Sequence, residues 1–428
     1  MKVLMFGWEF PPHISGGLGT ACYGLTKGLT SFDDINLTFV VPKVYGNENK
    51  PDMKLIGASD VELSNEIIVK QRKLEMRKFN EFHQQISAYI TPEQYEKILT
   101  EKKNKFKDTV INTSSGKLKF TGGYGTSLFE EISRYGVVAS EIAKNEPHDV
   151  IHAHDWLTYP AGIEAKNASG KPLVVHVHAT EYDRSGEKLN EKVYEIEKKG
   201  MEIADKVITV SDFTRNIVIS KYKISPSKVV TIHNAVEPTN HGNIKHSWKN
   251  GTNDKIVTFL GRITRQKGPE YFVEAAYKVL QKMDNVRFVM AGGGDLMENM
   301  IKQVARLKIS DRFHFTGFLR GDDVYRMYAM SDLYIMPSVS EPFGISPLEA
   351  IQSNVPVIIS KQSGVSEVID NAIKIDFWDI ESLADAIYGV LNYKALADLL
   401  KNKSKQEVNY LTWDKVATKV REIYYQVA

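Results

Sequence analysis

Residues 333–350, LYIMPSVSEPFGISPLEA, hold the pattern that decides the fold of this chain. The stretch opens on an apolar run, 333–336, which is typical of a strand that is buried on both faces of a sheet. A polar loop follows, and Ser346 with Pro347 then supplies the residue types that begin a helix. A strand that passes through a loop into a helix is the repeating unit of a doubly wound α/β sheet.

The same unit recurs from one end of the 428-residue chain to the other. Short apolar and β-branched runs predict strands at residues 3–6, 37–41, 150–153, 173–177, 207–210, 229–232, 256–260, 288–291, 313–316, 333–336 and 357–359. Residues 236–254 are polar, rich in Asn and Gly and without periodicity, so they are predicted to form a linker. The predicted fold class is therefore α/β, with two doubly wound, Rossmann-like domains.

Three segments make up the predicted domain organisation: an N-terminal domain at 1–236, a C-terminal domain at 255–408 and a C-terminal helix at 409–428. The helix is predicted because Trp413, Val416 and Val420 follow one another at three- and four-residue steps. We expect it to pack on the N-terminal domain. Residues from about 45 to 147 break the alternation of strands and helices, and their charged runs predict a helical insertion with a solvated face. A place beside a binding cleft is the alternative for this insertion.

Composition narrows the classes of function. A net charge of +2 gives no reason to propose a nucleic-acid partner. The single cysteine, Cys22, excludes an intramolecular disulfide, which fits a reducing compartment. The first residues lack the features of an export signal, and no apolar run has the length of a membrane span. We therefore expect a cytoplasmic protein without a transmembrane segment, and the sequence leaves its oligomeric state open.

Two glycine-containing turns are candidates for binding phosphate. Gly16 and Gly17 precede a helical pattern, where the backbone can approach an anion that the helix N-terminus favours. Arg262 and Lys267 follow the predicted strand 256–260, and two cations at a strand end can clamp a diphosphate. A tight turn without a ligand and a surface pair of cations are the alternatives. A third glycine turn, 292–294, is explained at least as well by close packing.

Two His-x-His pairs end two of the predicted strands, one at His152 and His154 and the other at His176 and His178. Alternate residues of a strand share a face, so the two rings of each pair point the same way. Zinc is one explanation, but no third carboxylate or thiol lies at a spacing typical of a metal site. The pairs are therefore predicted to line a polar cleft without a metal, with His154 and His178 closest to the loops.

The acids of the opening stretch have two explanations. Ser346 as the N-cap, with Glu349 three residues later, forms a capping box, which makes Glu349 structural. This leaves Glu341 without a role, and it leaves the N–H groups of Gly344 and Ile345 unused. A ligand with phosphate and sugar hydroxyls would engage all of them, because a carboxylate accepts hydrogen bonds from paired hydroxyls. The stretch therefore predicts a nucleotide-sugar site.

Three motifs of the chain, EPFGISPLE, GRITRQKG and SGGLG, together resemble those of the retaining GT-B glycosyltransferases. The resemblance covers most of the chain and is weakest from about residue 45 to residue 122. It is closest to the glycogen and starch synthases and to their sister family, which includes sucrose synthases and mannosyltransferases. HAHDW and GWEFPP favour the glucan synthases, whereas Ile14 stands where bacterial glycogen synthases have a lysine. The resemblance implies a GT-B fold, in which two Rossmann-like domains face a central cleft.

The resemblance also implies a role for each matched residue. His178 and Glu341 would act at the transferred sugar, and Arg262 and Lys267 would neutralise the diphosphate leaving group. These four are the implied catalytic residues, and no side chain is implied as a nucleophile. The implied donor site consists of Gly16, Gly17, Gly344, Ile345, Ser346 and Glu349, and the implied acceptor side of His154 and Asp155.

The implied reaction moves glucose, with retention of configuration, from ADP- or UDP-glucose to the non-reducing end of an α-1,4-glucan. Its partners would be the nucleotide sugar and an α-glucan or oligosaccharide acceptor, without a metal or cofactor. A retaining glycosyltransferase that uses another nucleotide sugar and a cell-envelope or small-molecule acceptor is the main alternative. A sugar-nucleotide epimerase and a non-catalytic sugar-nucleotide binding protein are the others. A nicotinamide oxidoreductase is disfavoured because the glycine spacing differs from the dinucleotide fingerprint.

Overall fold

The computed structural model describes residues 1–13, 16–48, 50–64, 67, 116–125, 128–238 and 254–428. Within these residues the strands are β1 (Lys2–Phe6), β2 (Asn36–Val41), β3 (Lys54–Gly57), β4 (Val150–His154), β5 (Leu173–Val177), β6 (Lys206–Thr209), β7 (Val229–Thr231), β8 (Lys255–Leu260), β9 (Val286–Ala291), β10 (Phe313–Gly317), β11 (Leu333–Met336), β12 (Val357–Ser360) and β13 (Ile373–Ile375). The α-helices are α1 (Gly17–Leu29), α2 (Leu128–Asn145), α3 (Tyr159–Ser169), α4 (Glu181–Ser185), α5 (Glu191–Ile203), α6 (Asp212–Tyr222), α7 (Pro269–Leu280), α8 (Met297–Arg306), α9 (Asp322–Met330), α10 (Ser346–Gln352), α11 (Ile380–Asn392), α12 (Lys394–Val408) and α13 (Trp413–Val427). Ile14, much of the predicted insertion and most of the predicted linker lie outside the described residues.

The strands form two sheets, each with the strand order of a doubly wound fold. The first sheet has the order β3-β2-β1-β4-β5-β6-β7, and the second has the order β10-β9-β8-β11-β12-β13. The pairing is parallel, with His154 of β4 opposite His176 of β5 and Leu333 of β11 opposite Val257 of β8. The prediction of two parallel, Rossmann-like α/β sheets is therefore confirmed.

The strand order creates one crevice at the edge of each sheet. In the first sheet the order reverses between β1 and β4, and in the second it reverses between β8 and β11. The loops that leave two such strands turn to opposite faces of the sheet, so a crevice opens at the carboxyl ends of the strands. In the second sheet these ends are Leu260 and Met336, so the loops 261–268 and 337–345 flank the crevice.

Large apolar side chains fix the helix that follows the first of these loops. Phe259 of β8 and Phe288 of β9 both pack on Phe272 of α7, and the ring centroids are 5.7 Å apart in each pair. All three rings are buried. Burying a phenylalanine side chain contributes roughly 2–3 kcal/mol. This cluster therefore anchors α7 at the point where the loop 261–268 ends.

Two observed strands, β3 and β13, are absent from the prediction, and both lie at sheet edges. β3 pairs with β2, and β13 pairs with β12. Each is short and contains a lysine, Lys54 or Lys374, because an edge strand does not need the continuous apolar run of a central one. β3 corrects the prediction of a helical insertion over residues 45–147, in which α2 is helical as expected.

The chain divides into two compact units. The first consists of Met1–His176, Lys199–Lys206 and Ile423–Ala428, and the second of Val177–Lys198 and Val207–Glu422. The predicted domains 1–236 and 255–408 each contain one of the two sheets, and the predicted segment 409–428 contains α13. This division into domains stays a prediction.

The end of α13 contributes side chains to the first unit. The hydroxyl of Tyr424 lies 2.6 Å from Nδ1 of His152, which is buried in β4. The hydroxyl of Tyr425 donates a hydrogen bond to the carboxylate of Asp34 at 2.6 Å. The last turn of this helix is therefore bonded to β4 and to the chain between α1 and β2.

Two further observations concern the expectations from composition. Cys22 is buried in α1, and burial raises the pKa of its thiol, so it packs as a small apolar side chain. Among the described residues, no helix combines the length and the apolar character that crossing a membrane requires.

Candidate functional site

The loop that follows β8, residues 261–268, carries both predicted cations. Arg262 is exposed, and its guanidinium donates a hydrogen bond to the side-chain oxygen of Gln266 at 3.3 Å. Lys267 ends a 3-10 turn and is half-buried. Gly268 has a φ of +64°, and a Cβ there would lie 2.2 Å from the carbonyl oxygen of Pro337. Only glycine fits this contact, which holds the loop against the end of β11.

Two of the predicted catalytic residues form an ion pair. The Lys267 ammonium is paired with Oε2 of Glu341, and 20 % and 8 % of the two side chains are exposed. The Ser338 hydroxyl donates a hydrogen bond to the same oxygen at 3.3 Å. The backbone of Glu341 is bonded on both sides, to the carbonyl of Gln362 and the N–H of Gly364, at 2.9 Å each. The structure thus fixes a lysine and a glutamate together at the switch point of the second sheet.

The N-cap of helix α10 is not the residue that the capping-box explanation requires. Gly344 has a φ of +99°, and Ile345 is the N-cap, without a side-chain hydrogen bond. Ser346 is the first helical residue, and its Oγ accepts a hydrogen bond from the Tyr334 hydroxyl at 2.9 Å. The explanation of Glu349 by a capping box is therefore wrong, because Ser346 does not occupy the cap.

Two tyrosines of α9 lie beside Glu349. The Tyr328 hydroxyl donates a hydrogen bond to Oε2 of Glu349 at 3.4 Å. Burial raises the pKa of Glu349, and this hydrogen bond offsets part of the effect. Burial and the nearby Glu349 charge raise the pKa of Tyr325 to about 12. Within the described parts of the chain no cation forms an ion pair with Glu349, so its carboxylate can accept hydrogen bonds from hydroxyls.

His178 follows β5 and is half-buried. Burial lowers its pKa to about 3, so at pH 7 the ring is neutral and has one N–H donor and one acceptor nitrogen. The chain continues into α4, where the N-cap Thr180 forms a capping box with Asp183. The Ser340 hydroxyl donates a hydrogen bond to Asp183 at 2.6 Å. The segment that carries His178 is therefore bonded to the loop that carries Glu341.

Because the pKa of His178 is low, we expect the folded protein to lose stability as the pH falls. Replacing His178 with a residue that does not titrate should abolish this part of the loss. Folded His178 stays neutral down to about pH 3, whereas the unfolded chain binds this proton near about pH 6.5. The free energy of unfolding therefore falls as the pH drops below the unfolded pKa. Between about pH 6 and pH 5 this group alone costs about 1 kcal/mol. In urea unfolding, His178→Gln should lose about 1 kcal/mol less than the wild type over this interval.

The control for this measurement is His314→Gln, at an exposed position of β10. It should keep the pH dependence of the wild type. Equal pH slopes for the wild type and His178→Gln would contradict the burial of a neutral ring.

The predicted residues of the first unit lie at the carboxyl ends of β1 and β4. Gly16 is the N-cap of α1, which begins at Gly17, and no atom lies within 4 Å of a Cβ added at either. The ring of His154 is fully buried. Asp155 has a φ of +58°, and its N–H donates a hydrogen bond to the carbonyl of His176 at 2.9 Å. Gly16 and Gly17 therefore face open space, whereas His154 lies inside the core, and the roles assigned to these four residues stay predictions.

One group of histidines has ring nitrogens close enough for a metal. The nitrogens of His152, His154 and His176 lie within 4.8 Å of one another. The ring planes, however, are inclined by only 27°, 5° and 26° in the three pairs. The lone pairs of an imidazole lie in its plane, so the lone pairs of stacked rings do not converge on one ion. The stack is therefore a poor metal site.

A second such group is formed by Asp212, His233 and Glu367. One carboxylate oxygen of Glu367 accepts a hydrogen bond from the N–H of Asp212 at 2.8 Å, and the other accepts one from the N–H of Phe213 at 2.7 Å. His233 Nε2 lies 2.7 Å from the carboxylate. These bonds already engage both oxygens at the start of α6. The expectation of a reaction without metal stays a prediction.

The third glycine turn packs against the cation loop. Gly292 has a φ of +140°, and a Cβ there would lie 1.8 Å from the carbonyl oxygen of Gly261. The N–H of Ile263 donates a hydrogen bond to the carbonyl of Gly293 at 2.9 Å. Close packing therefore explains this turn, and its effect is to hold the backbone that carries Arg262.

A groove of about 340 Å³ lies elsewhere on the second unit, lined by side chains that include Leu280, Met283, Leu307 and Ile309. These residues precede β9 and β10, so the groove lies at the amino ends of the strands. Ligands of open α/β sheets bind at the carboxyl ends. The groove is therefore a poor candidate for the ligand site, and the site at Lys267 and Glu341 stays a prediction.

The two halves of the site region match two related families. Residues 126–240 match the family described as Glycosyltransferase Family 4, and residues 241–407 match the family described as Glycosyl transferases group 1. The second match includes the loops that carry Lys267 and Glu341 and the helix α10 that carries Glu349. The two matches together span residues 126–407, so the chain is a glycosyltransferase with a group 1 domain. Lys267 and Glu341, at the crevice of the second sheet, lie within the group 1 match, and their catalytic roles stay predictions.

The relatives of this glycosyltransferase act on different acceptors. An uncharacterized glycosyltransferase of Methanocaldococcus jannaschii is 28 % identical, over 99 % of this chain and 98 % of its own. The glycogen synthase of Mycobacterium tuberculosis is 22 % identical, over 99 % and 94 %. The UDP-Gal:alpha-D-GlcNAc-diphosphoundecaprenol alpha-1,3-galactosyltransferase of Escherichia coli is 27 % identical, over 66 % and 77 %. The relatives thus agree on glycosyl transfer and differ in the sugar and the acceptor.

Solved structures of similar fold establish the GT-B architecture of the glycosyltransferase. Sucrose-phosphate synthase from Thermosynechococcus elongatus has a TM-score of 0.71 at 18 % identity, over 99 % of this chain and 98 % of its own. Anabaena HepE, in complex with UDP and glucose, has a TM-score of 0.67 at 15 % identity, over 99 % of each chain. At these identities the likeness concerns the fold alone.

Sequence reasoning assigned no role to several polar residues of the candidate site. Ser338 and Ser340 lie in the stretch that decides the fold, and their position on a loop directly after a strand was the available signal. Asp183 lies among the polar residues that follow β5. Tyr328 gave no signal, because a tyrosine in an amphipathic helix is equally well explained by packing.

Proposed function

We propose that this glycosyltransferase moves glucose, with retention of configuration, from ADP- or UDP-glucose to the non-reducing end of an α-1,4-glucan. The observation that carries the proposal is the ion pair of Lys267 and Glu341 at the switch point of the second sheet. The pair supports the proposal because an ammonium can neutralise a leaving diphosphate and a carboxylate beside it can accept hydrogen bonds from sugar hydroxyls. Nucleotide-sugar chemistry needs both groups in one place.

In the proposed reaction the bond between the anomeric carbon and the phosphate oxygen breaks, and the diphosphate leaves with the bonding electrons. Arg262 and Lys267 neutralise the charge that develops on it. The acceptor hydroxyl forms its bond to the anomeric carbon on the same face and gives its proton to the departing phosphate oxygen. The products are a nucleoside diphosphate and an acceptor longer by one sugar.

The remaining groups orient the donor. Glu341 accepts hydrogen bonds from hydroxyls of the transferred sugar. The neutral ring of His178 donates a hydrogen bond to the same sugar. Glu349 accepts hydrogen bonds from the ribose hydroxyls of the nucleotide. Backbone N–H groups complete the phosphate site, and they belong to Gly16, Gly17, Gly344, Ile345 and Ser346. His154 and Asp155 belong to the acceptor side.

Two observations support glucan as the acceptor. The glycogen synthase relative aligns over nearly the whole chain, including the first sheet, which in this proposal carries the acceptor side. The motif HAHDW, which holds His154 and Asp155, is the one that resembles the glucan synthases.

A cell-envelope acceptor is the second candidate, and one observation favours it. The galactosyltransferase that acts on a diphosphoundecaprenol-linked sugar is 27 % identical, against 22 % for the glycogen synthase. Its match covers 66 % of this chain. In this case the same donor residues would serve another nucleotide sugar. A sugar-nucleotide binding protein without activity is less well supported, because such a protein has no need to keep Arg262 or the pair of Lys267 and Glu341.

The test is nucleotide release from UDP-, ADP- and GDP-sugars, with glycogen, with maltooligosaccharide, with a polyprenyl-diphosphate sugar and without acceptor. We expect glucan-dependent release from UDP- or ADP-glucose, and an α-linked product in its NMR spectrum. Release that depends on the polyprenyl acceptor alone would replace the glucan proposal with the second candidate. Binding of nucleotide sugars without release under any condition would leave the binding protein.

A further inference from the structure

The carboxylate of Asp183 is buried and uses its two oxygens for different purposes. Oδ2 accepts hydrogen bonds from the N–H and the hydroxyl of Thr180, both at 2.7 Å, and thereby caps α4. Oδ1 accepts a hydrogen bond from the hydroxyl of Ser340 at 2.6 Å, from a residue 157 positions further along the chain. Only 3 % of Asp183 is exposed. The carboxylate therefore joins two segments that are distant in sequence.

Capping alone does not explain this arrangement. The capping box uses only one oxygen of Asp183, and aspartates are ordinarily exposed to water. Burying a carboxylate is costly unless donors replace its water. Here three donors do so, and one of them, Ser340, has no part in α4. The bond of Ser340 to Asp183 is thus an addition to the cap.

The backbone of Ser340 is connected to both segments that carry the ion pair. Ser340 directly precedes Glu341 in the chain, and its own N–H points to the carbonyl of Gln266 at 3.4 Å. The N–H of Val339 donates a better hydrogen bond to the same carbonyl, at 2.9 Å. Gln266 in turn directly precedes Lys267. A displacement of Ser340 is therefore transmitted to both Lys267 and Glu341.

We propose that Asp183 is a positioning residue of the transfer reaction, acting through Ser340. It fixes the Lys267–Glu341 pair relative to the segment that begins at His178, so that the leaving group and the transferred sugar are held in one geometry. The inference rests on the proposed hexosyl transfer. Asp183 itself touches no reacting atom in this scheme. Its contribution is to orientation, and small displacements at a reacting centre can lower a rate by about 10²-fold.

A merely structural role makes a different prediction. A hydrogen bond that only stabilises the fold lowers the melting temperature and leaves the kinetics of the folded enzyme unchanged. A positioning bond lowers kcat/KM well below the melting temperature, and it does so without weakening the contacts of the nucleotide part. The sugar-dependent part of donor binding should weaken, because Glu341 would meet the sugar hydroxyls in a displaced position.

The experiment compares Ser340→Ala with Ser340→Thr and with Ser366→Ala. Ser340→Ala removes the donor to Asp183 and leaves the cap of α4 intact, so the variant should fold. Ser340→Thr keeps the hydroxyl and tests for rescue. Ser366 is the matched control, because its hydroxyl bonds within its own turn, to the carbonyl of Ser363 at 2.6 Å. Asp183→Asn is the second variant on the acceptor side of the bond.

Kinetics and binding are both measured. We expect kcat/KM of Ser340→Ala to fall by about 10²-fold, with recovery to within about fivefold in Ser340→Thr and no change in Ser366→Ala. By calorimetry, Ser340→Ala should bind UDP and ADP as the wild type does, and it should bind UDP-glucose or ADP-glucose about five- to tenfold more weakly. Asp183→Asn should also lower kcat/KM and weaken the binding of the nucleotide sugar, but by smaller factors.

Rates of Ser340→Ala within twofold of those of Ser366→Ala would overturn the positioning role. So would equal losses in the binding of the nucleotide and the nucleotide sugar. If the wild type itself transfers no sugar, the proposed function fails. In that case the calorimetry still tests whether Asp183 positions the Lys267–Glu341 pair. The positioning role then requires that Ser340→Ala binds the nucleotide sugar more weakly than the wild type and binds the nucleotide equally well.

Discussion

Lys267→Ala should lower kcat/KM for the nucleotide sugar by about 10³-fold, since one preorganised group that meets developing charge is worth about 10²–10³ in rate. The lysine ammonium is paired with Glu341 in the loop that follows β8, and in the proposed reaction its removal takes away a cation that neutralises the leaving diphosphate. It also leaves the mostly buried Glu341 carboxylate without its ion-pair partner, which disturbs the site further. The measurement is the initial rate of nucleotide release with the donor and acceptor that the wild type uses.

Lys282→Ala is the control for charge and side-chain loss. Lys282 pairs with Asp385 at 3.1 Å, but 58 % of its side chain is exposed. An exposed pair contributes little, so this variant should keep a rate within about twofold of the wild type. If Lys267→Ala retained more than a tenth of the wild-type rate while folded by circular dichroism, the ion pair would not be the centre of the site.

Gly292→Ala should destabilise the protein by about 4 kcal/mol, which is the sum of backbone strain and overpacking at the same position. The φ of +140° belongs to a region that only glycine adopts readily, and the added Cβ would lie 1.8 Å from the carbonyl oxygen of Gly261. Neither backbone can yield without moving the cation loop. In differential scanning calorimetry the unfolding transition should shift down by about 8–16 °C.

Gly293→Ala tests the same turn without the overlap. No atom lies within 4 Å of a Cβ at Gly293. Its transition should stay within about 2 °C of the wild type, since open space adds no clash. A Gly292→Ala transition that matched the one of Gly293→Ala would show that the turn has room, and the close-packed explanation of residues 292–294 would fail.

The central strands could be predicted because their sequences report their surroundings. Runs such as 333–336 and 256–260 are continuous in apolar and β-branched residues, and such a run is stable only where both faces of a sheet are covered. The sequence pattern did not predict the edge strands β3 and β13, because an edge strand has a single partner and tolerates lysine. Prediction from pattern is thus most dependable where burial is most complete.

The start of α10 shows why local motifs mislead at a site. Ser346, Pro347 and Glu349 satisfy the rules for a capping box, yet Ile345 occupies the cap and the Ser346 hydroxyl is bonded to Tyr334. Tyr334 lies on β11, twelve positions earlier, and its place beside Ser346 follows from how the strand and the helix pack. A contact made through packing therefore outweighed the propensity of the local sequence.

The sequence by itself determined the class of fold, the division into two sheets and the types of charged group at the strand ends. These follow from the period of apolar residues and from loop composition, which are local properties. Only the tertiary structure decided which charges meet. Lys267 and Glu341 are 74 positions apart, and Asp183 and Ser340 are 157 apart. The first pair forms because the parallel strands β8 and β11 bring their carboxyl ends to one edge of the second sheet. The second pair joins a segment that follows β5 of the first sheet to a loop of the second sheet, and no local pattern encodes either contact.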